Sequence, residues 1–253
     1  MELKLLLFIF GLIIGSFLNV CIYRIPLGQS IIAPGSYCPK CGKPLKLKEL
    51  IPILSYVLVK GRCRYCKKDI SPRYPMVELL SGLLFLLIYL KFGLSWLCIY
   101  YIILISCLIV ITFIDLKHGI IPNSIVFFSL AAGLIFNSLS MGRPFMDGLF
   151  GMAIGGGTLL AIAVLAFLIM GKEGMGGGDI KLMGAVGVFL GWKLTILAML
   201  LSFYLGGIIG ITLLITRRGK PGDSMPYGPF IAVSSVITIL CGKEIINWYL
   251  ARF

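Results

Sequence analysis

The chain alternates long apolar segments with short polar ones over almost its whole length. Eight mostly apolar segments cover residues 5–22, 76–90, 94–114, 123–139, 148–170, 182–192, 194–215 and 230–241. A helix rises about 1.5 Å per residue, so roughly twenty apolar residues cross the hydrocarbon core of a bilayer. The pattern predicts an all-α integral membrane protein with about eight transmembrane helices.

Composition agrees with this prediction, since 59% of the 253 residues are hydrophobic, 13% are charged and the mean hydropathy is +1.03. We interpret the first segment as a retained helix rather than a signal peptide, because Gly11 and Gly15 are spaced like a helix-packing face. The net charge of +13 is compatible with nucleic-acid binding. However, eleven of the 23 basic residues lie between Arg24 and Arg73, which favours an anionic membrane surface instead.

The distribution of basic residues predicts the orientation. With residues 24–73 in the cytoplasm, alternation of the eight helices places seventeen of the 23 basic residues inside and both termini outside. We therefore expect three parts: a first transmembrane helix in 1–22, a cytoplasmic zinc-binding loop in 23–75, and a multi-helix membrane domain in 76–253.

Two C-x2-C motifs lie in the basic loop, Cys38-Pro-Lys-Cys41 and Cys63-Arg-Tyr-Cys66. Their spacing is close to that of four-thiolate zinc sites, and four thiolates leave no open position for water, so we expect a structural zinc ion in a ribbon-like loop. Two disulfides are the alternative, which a reducing cytoplasm disfavours.

A second polar feature interrupts the apolar pattern at Gly174-Met-Gly-Gly-Gly-Asp179-Ile-Lys181. An ionised carboxylate at a membrane boundary is unfavourable by roughly 2.5–3.5 kcal/mol, so it marks a functional site by default. Glycines 174, 176, 177 and 178 remove the Cβ atoms ahead of Asp179 and allow another chain to come close. We predict that this stretch receives a peptide.

Asp115 ends the third apolar segment, at the membrane face where Asp179 begins the sixth. Two neighbouring carboxyls share a proton, so one serves as general base and the other as general acid, as in aspartic proteases. For each residue alone, the alternatives are a helix N-cap or an ion pair with Lys117 or Lys181.

Several motifs together resemble the bacterial type IV prepilin peptidases, membrane aspartic proteases with a G-x-G-D motif. The resemblance covers essentially the whole chain, and its motifs are Gly15-Ser-Phe-Leu-Asn19, Arg24-Ile-Pro26, both cysteine pairs, Arg73-Tyr-Pro-Met-Val-Glu78-Leu-Leu-Ser-Gly82, Asp115 with Ile121-Pro122-Asn123, Gly174 to Lys181, and Pro226-Tyr-Gly-Pro229. Tyr227 departs from the phenylalanine that the family more often has.

The resemblance implies a function. Such enzymes, in the bacterial cytoplasmic membrane, remove the basic leader of prepilins and pseudopilins on the cytoplasmic side, with Asp115 and Asp179 as the catalytic pair. Members with the cysteine loop also methylate the new amino terminus with S-adenosylmethionine, although no residue is assigned to that donor. Glu78 is expected either to hold the basic leader or to pair with Arg73.

Two other classes of function remain as alternatives. A secondary transporter also uses membrane carboxylates and broken glycine-rich helices, but it predicts internal repeats, which the sequence does not show. A zinc-ribbon scaffold that recruits partners would keep its function after loss of both aspartates.

Overall fold

The computed structural model describes residues 2–139, 141–171, 175–216 and 225–252. Gly174 of the glycine stretch, and Lys172, Arg217, Arg218 and Lys220 of the basic count, lie outside the described residues. Eight α-helices are present in the described part: α1 Glu2–Arg24, α2 Leu54–Leu58, α3 Arg73–Phe92, α4 Trp96–His118, α5 Asn123–Ser138, α6 Phe145–Met170, α7 Gly177–Ile215 and α8 Gly228–Leu250. The prediction of an all-α membrane protein is confirmed.

Six helices in the described residues are long and apolar enough to cross a membrane: α1, α3, α4, α6, α7 and α8. All eight predicted segments coincide with helices, except for residues 94, 95 and 139 at segment ends, and two features account for the smaller number of membrane-length helices. Helix α5 has only 16 residues, and segments 182–192 and 194–215 are both in α7. Helix α7 is interrupted at Gly191, whose φ of 70° and ψ of 169° are not helical.

The chain divides into two compact units, Met1–Leu94 and Ser95–Phe253. In the first unit, α1 and α3 pack at glycines. A Cβ on Gly11 would lie 2.7 Å from the Cα of Gly82, and a Cβ on Gly15 would lie 2.7 Å from the Cα of Glu78. These close backbone contacts confirm the packing face predicted for the first helix.

The second unit is a bundle of α4 to α8, in which α7 packs mainly on α6 and α8. Local signals set the ends of α4, which carries Asp115. The Ser95 hydroxyl accepts the N–H of Cys98 at the start, and Gly119 ends the helix in the left-handed conformation with φ of 63°. Asp115 is therefore fixed in the last turn of α4.

Candidate functional site

Asp115 is held against the first residue of α8. Its side chain is 5% exposed, and its Oδ2 accepts the backbone N–H of Gly228 at 2.9 Å. A Cβ on Gly228 would lie 2.8 Å from this oxygen, so only glycine allows the approach without displacement. The start of α8 thereby fixes the position of the carboxylate.

Asp179 lies in the first turn of α7 and is half-buried. Its backbone N–H donates to the Gly176 carbonyl at 3.0 Å. Its Oδ1 atom is buried and has no hydrogen-bond partner among the described residues. The carboxyls of Asp115 and Asp179 are close enough to interact electrostatically. The structure therefore brings the two predicted catalytic side chains together at one end of the bundle.

The glycines before Asp179 differ in their surroundings. Gly176 and Gly177 are exposed, and nothing lies within 4 Å of a Cβ placed on Gly177. A Cβ on Gly178 would instead meet the Cβ of Ile121 at 2.9 Å. Ile121 also lies 3.4 Å from a Cβ built on Gly228. Its side chain therefore packs against Gly178, next to Asp179, and against Gly228, which contacts Asp115. The backbone next to Asp179 is therefore exposed at residues 176 and 177 and covered by Ile121 at residue 178.

The structure does not support the simpler roles considered for Asp115, whereas Asp179 lies in a first helical turn where the Gly176 backbone N–H stabilises its carboxylate. Asp115 lies in a last helical turn, so it is not an N-cap of its own helix. Lys181 donates to Asn123 Oδ1 at 3.1 Å. Within the described ranges, neither aspartate has a lysine or arginine within ion-pair distance.

Tyr227, the departure noted in the sequence, lies at the start of α8 beside this site. Its hydroxyl is 2.6 Å from the Ser202 hydroxyl, and its ring stacks on Phe203 with 6.2 Å between centroids. Burial, together with the negative charge of Asp179, raises the pKa of Tyr227 to about 12. The added hydroxyl is therefore a neutral hydrogen-bonding group.

The four cysteines of the basic loop come together in the first unit. Their sulfur atoms all lie within 4.8 Å of one another. The two motifs have the same backbone geometry: Cys38 N–H donates to Lys43, and Cys63 N–H donates to Lys68, at 2.9 and 2.8 Å. Each motif thus forms the same tight turn and presents two thiols to a common centre.

This arrangement fits a zinc ion. Zn–S bonds of about 2.3 Å in a tetrahedron place the sulfur atoms about 3.8 Å apart, within the observed cluster. The N–H groups of Cys66 and Tyr65 lower the pKa of the Cys63 thiol to about 7, which favours the thiolate that binds metal.

Glu78 is 7% exposed, and its Oε2 accepts the N–H of Ile53 at 2.7 Å. Ile53 directly precedes the short helix α2 and has φ of 58°, a conformation that β-branched residues rarely adopt. Glu78 therefore fixes the path of the cysteine loop over α3. Arg73, its predicted partner, instead lies over the Tyr74 ring at 5.2 Å.

Sequence reasoning gave no role to Gly228 or Ile121, although both lie in motifs that carried the resemblance. Nothing in their local sequence indicates contact with Asp115 or Gly178, because these contacts join segments about 60 to 110 positions apart in the bundle. The available signal was the Pro226-Tyr-Gly-Pro229 turn, which predicts a helix start but no partner.

Comparisons with known proteins agree with the site. The Bacterial Peptidase A24 N-terminal domain matches residues 9–92, and the Type IV leader peptidase family matches residues 102–211. No solved structure matches the chain.

Named relatives match over nearly the full length. The prepilin leader peptidase/N-methyltransferase of Bacillus subtilis is 39% identical over 245 residues, which are 97% of this chain and 97% of that protein. Those of Aeromonas salmonicida and Pseudomonas aeruginosa are 36% and 35% identical, covering 97% and 95% of this chain and 93% and 91% of theirs. With its membrane-spanning helices, the chain is a multi-pass inner-membrane protein. It belongs to the type IV leader peptidase family.

Proposed function

We propose that this protein cleaves the leader from type IV prepilins or pseudopilins, with Asp115 and Asp179 as its catalytic pair, and then methylates the new amino terminus. The observation that carries the proposal is the meeting of two buried or half-buried carboxyls, from the end of α4 and the start of α7, beside exposed backbone at Gly176 and Gly177. The names of the relatives support the substrate class and both reactions.

The two carboxyls divide the proton transfers of peptide hydrolysis. One carboxylate takes a proton from water as the water oxygen attacks the scissile carbonyl, and the other carboxyl gives its proton to that carbonyl oxygen. Collapse of the tetrahedral intermediate breaks the C–N bond, and the amine leaves with a proton from the pair. Oδ1 of Asp179 is buried and lacks a partner in the described residues, so a hydrogen bond from an entering water would satisfy it.

The glycines supply room for the substrate backbone. A peptide bond within a helix is shielded, so the segment around the scissile bond must be extended before attack. Gly176 and Gly177 offer exposed backbone without side chains next to Asp179, while Gly178 packs against Ile121 and closes the other side. We assign all three glycines to substrate binding.

The orientation of the site follows from charge. The basic loop that contains the cysteines favours the cytoplasmic side, and crossing of the membrane by α5 as well as α6 puts Asp115 and Asp179 on that same side. A basic leader synthesised in the cytoplasm would reach the carboxyls from there, with the apolar helix of the pilin in the lipid bilayer. We retain the division into 1–22, 23–75 and 76–253 as the functional organisation of the chain.

Cys38, Cys41, Cys63 and Cys66 would hold a structural zinc ion, since four thiolates complete its coordination. The bifunctional names of the relatives imply S-adenosylmethionine as methyl donor. That donor supplies an electrophilic methyl group to the free amine produced by cleavage. Residues that bind it are not assigned.

Glu78 has two proposed roles that an experiment separates. Its bond to Ile53 supports a part in shaping the loop, and its charge is complementary to a basic leader. Glu78→Gln should slow cleavage of a basic leader more than cleavage of a leader whose lysines are replaced by glutamine. Equal slowing of both would leave only the loop-shaping role.

The central experiment measures cleavage of a prepilin reconstituted with the enzyme in lipid vesicles. Asp115→Asn and Asp179→Asn should each lower kcat by roughly 1,000-fold or more, because neither amide transfers a proton. Asp69→Asn, the same change at an exposed aspartate paired with Arg62, is the matched control and should retain wild-type cleavage. Cleavage retained by either folded catalytic variant would reject the aspartic mechanism.

A further inference from the structure

At the interruption of α7, backbone groups of this helix form hydrogen bonds with side chains of other helices. In a continuous helix the N–H of Trp192 would donate to the carbonyl of Val188. Here Gly191 is non-helical, and the N–H of Trp192 lies 3.4 Å from Asp147 Oδ1 on α6. A side chain at position 191 would collide with Asp147. The Val188 carbonyl therefore needs other donors.

Two buried side chains supply them, with the single Tyr100 proton shared between this carbonyl and Asn137 Oδ1. The Tyr100 hydroxyl, on α4, lies 2.9 Å from the Val188 carbonyl oxygen, and Asn137 Nδ2, on α5, donates to the same oxygen at 3.0 Å. Tyr100 is 0% exposed and Asn137 is 1% exposed. A buried carbonyl without a donor is strongly unfavourable, so these contacts maintain the interruption.

Further bonds connect this cluster, which we term the Gly191 clamp: Tyr100, Asn137, Arg143 and Asp147. Asn137 Oδ1 accepts the backbone N–H of Arg143 at 2.9 Å and lies 2.9 Å from the Tyr100 hydroxyl. Arg143 Nη1 is 3.3 Å from Asp147 Oδ2. The clamp thus joins α4, α5 and α6 to one point of α7.

The helices joined by the clamp include the two that carry the aspartates. Tyr100 lies near the start of α4 and Asp115 near its end, while Val188 lies just before the interruption of α7 and Asp179 near the start of that helix. A slip of one residue along either helix would move its aspartate by about 1.5 Å. A misplacement of about 1 Å is enough to lower a catalytic rate by roughly 100-fold.

Packing along α7 supports transmission from the clamp to Asp179. Gly151 of α6 and Gly187 of α7 are in backbone contact, and a Cβ on either would collide with the carbonyl of the other. A Cβ on Gly133 of α5 would lie 2.9 Å from Val188 and 2.8 Å from Phe189. The segment 182–190 is therefore closely packed on its neighbours, and it connects the first turn of α7 to the clamp.

We propose that the Gly191 clamp positions the catalytic pair by fixing the axial register of α4 against the first part of α7. Tyr100, Asn137 and Asp147 are then positioning residues for the reaction, although they lie at the opposite end of the helices from the carboxyls. This inference rests on the proposed function of Asp115 and Asp179.

The Tyr100→Phe variant tests this proposal, because it removes only the hydroxyl group. The ring contacts with Phe136 and Phe189, at 5.8 and 4.4 Å between centroids, remain possible. In vesicles containing a prepilin with a basic leader, we expect kcat to fall about 10- to 100-fold with KM within about twofold of wild type. Ser106→Ala is the control, because in the described part of the chain the Ser106 hydroxyl bonds the Ile102 carbonyl of its own helix, at 2.8 Å, and no other helix.

Wild-type kcat in membrane-inserted Tyr100→Phe would overturn the proposal, as would an equal loss in Ser106→Ala. A fall in kcat/KM that comes entirely from KM would also overturn it, because register affects the reacting groups rather than substrate capture.

A second pair of variants decides the question if Tyr100→Phe fails to accumulate in the membrane. Asp147 is partly exposed, with 24% of its side chain accessible, so its variants are less disruptive. Asp147→Ala removes the acceptor for Trp192 and should lower kcat about 10-fold, whereas Asp147→Asn keeps an oxygen acceptor and should restore most of it. Equal activities in the two variants would reject a role for this bond.

The outcomes separate this proposal from the proposed function. Loss of cleavage in Asp115→Asn and Asp179→Asn with normal cleavage in Tyr100→Phe would leave the catalytic pair intact and reject only the clamp. Normal cleavage in the aspartate variants would reject both.

Discussion

In the cysteine loop, four thiols come from two stretches of four residues, whereas the two carboxyls of the aspartate pair come from residues 115 and 179 on different helices. Each cysteine stretch closes its own turn with backbone hydrogen bonds between residues at most five positions apart. The aspartates instead depend on Gly228, Ile121 and the packing of three helices. Substitutions that disrupt the cysteine loop should therefore lie within its own turns. The aspartate pair should also be sensitive to substitutions on other helices.

The largest expected effect concerns the cysteine loop. Cys38→Ser removes one of four thiolates from a site that supplies about 10–16 kcal/mol of binding free energy in comparable small domains. We expect bound zinc to fall from about one ion per chain to almost none, measured by mass spectrometry of the purified protein. Limited proteolysis should then cut the loop between α1 and α3.

Cys241→Ser provides the matched control, since Cys241 is an exposed, solitary cysteine on α8. It should retain zinc fully. Zinc retained at wild-type occupancy in Cys38→Ser would contradict a four-thiolate site.

The next largest effect tests the packed site. In Gly228→Ala the new methyl group would lie 2.8 Å from Asp115 Oδ2, so the carboxylate must move. We expect kcat for prepilin cleavage to fall roughly 100-fold with little change in KM. Gly207→Ala is the control on α7, where nothing lies within 4 Å of an added Cβ. Equal kcat in the two variants would show that the start of α8 does not position Asp115.

A smaller effect is expected at Tyr227. Tyr227→Phe removes the hydrogen bond with Ser202, and we expect thermal unfolding to report a loss of about 1 kcal/mol at neutral pH. The folded pKa of about 12 exceeds the ordinary value of 10.0, so the folded protein keeps a proton that the unfolded chain loses between these values. Wild-type stability should consequently decrease as pH rises above about 10, and this part of the decrease should be absent in Tyr227→Phe.

The smallest effect returns to the cysteine loop. Lys67 has φ of 57° at the position that Gly42 occupies, with φ of 71°, in the other turn. Lys67→Gly should stabilise the zinc-bound loop by about 0.5 kcal/mol, since glycine adopts this conformation without strain but loses more entropy on folding. Proteolysis rates at the loop would measure this change. Lys68→Gly, at a residue without positive φ, should instead destabilise the loop, and the reverse order would contradict the strain argument.

Much of the helical structure could be predicted because its signals are local. The apolar segment 123–139 corresponds to α5 at Asn123–Ser138, and segment 148–170 corresponds to α6 at Phe145–Met170. The relation between 182–192 and 194–215 was less accessible, since the interruption at Gly191 is maintained by donors and acceptors on three other helices. Asp147, which in the sequence is only an acid in a connecting segment, has its role through this interruption.

The sequence by itself determined the membrane class, the cysteine turns and the residues able to perform acid–base chemistry. These features depend on composition, on apolar runs and on neighbours within a few positions, which the chain carries whatever its partners are. Only the tertiary structure decided that Gly228 contacts Asp115, that Ile121 packs on Gly178, and that Tyr100 satisfies the carbonyl of Val188. Those contacts join helices that are distant in sequence, and their existence depends on how close-packed surfaces fit, for which no local pattern carries a signal.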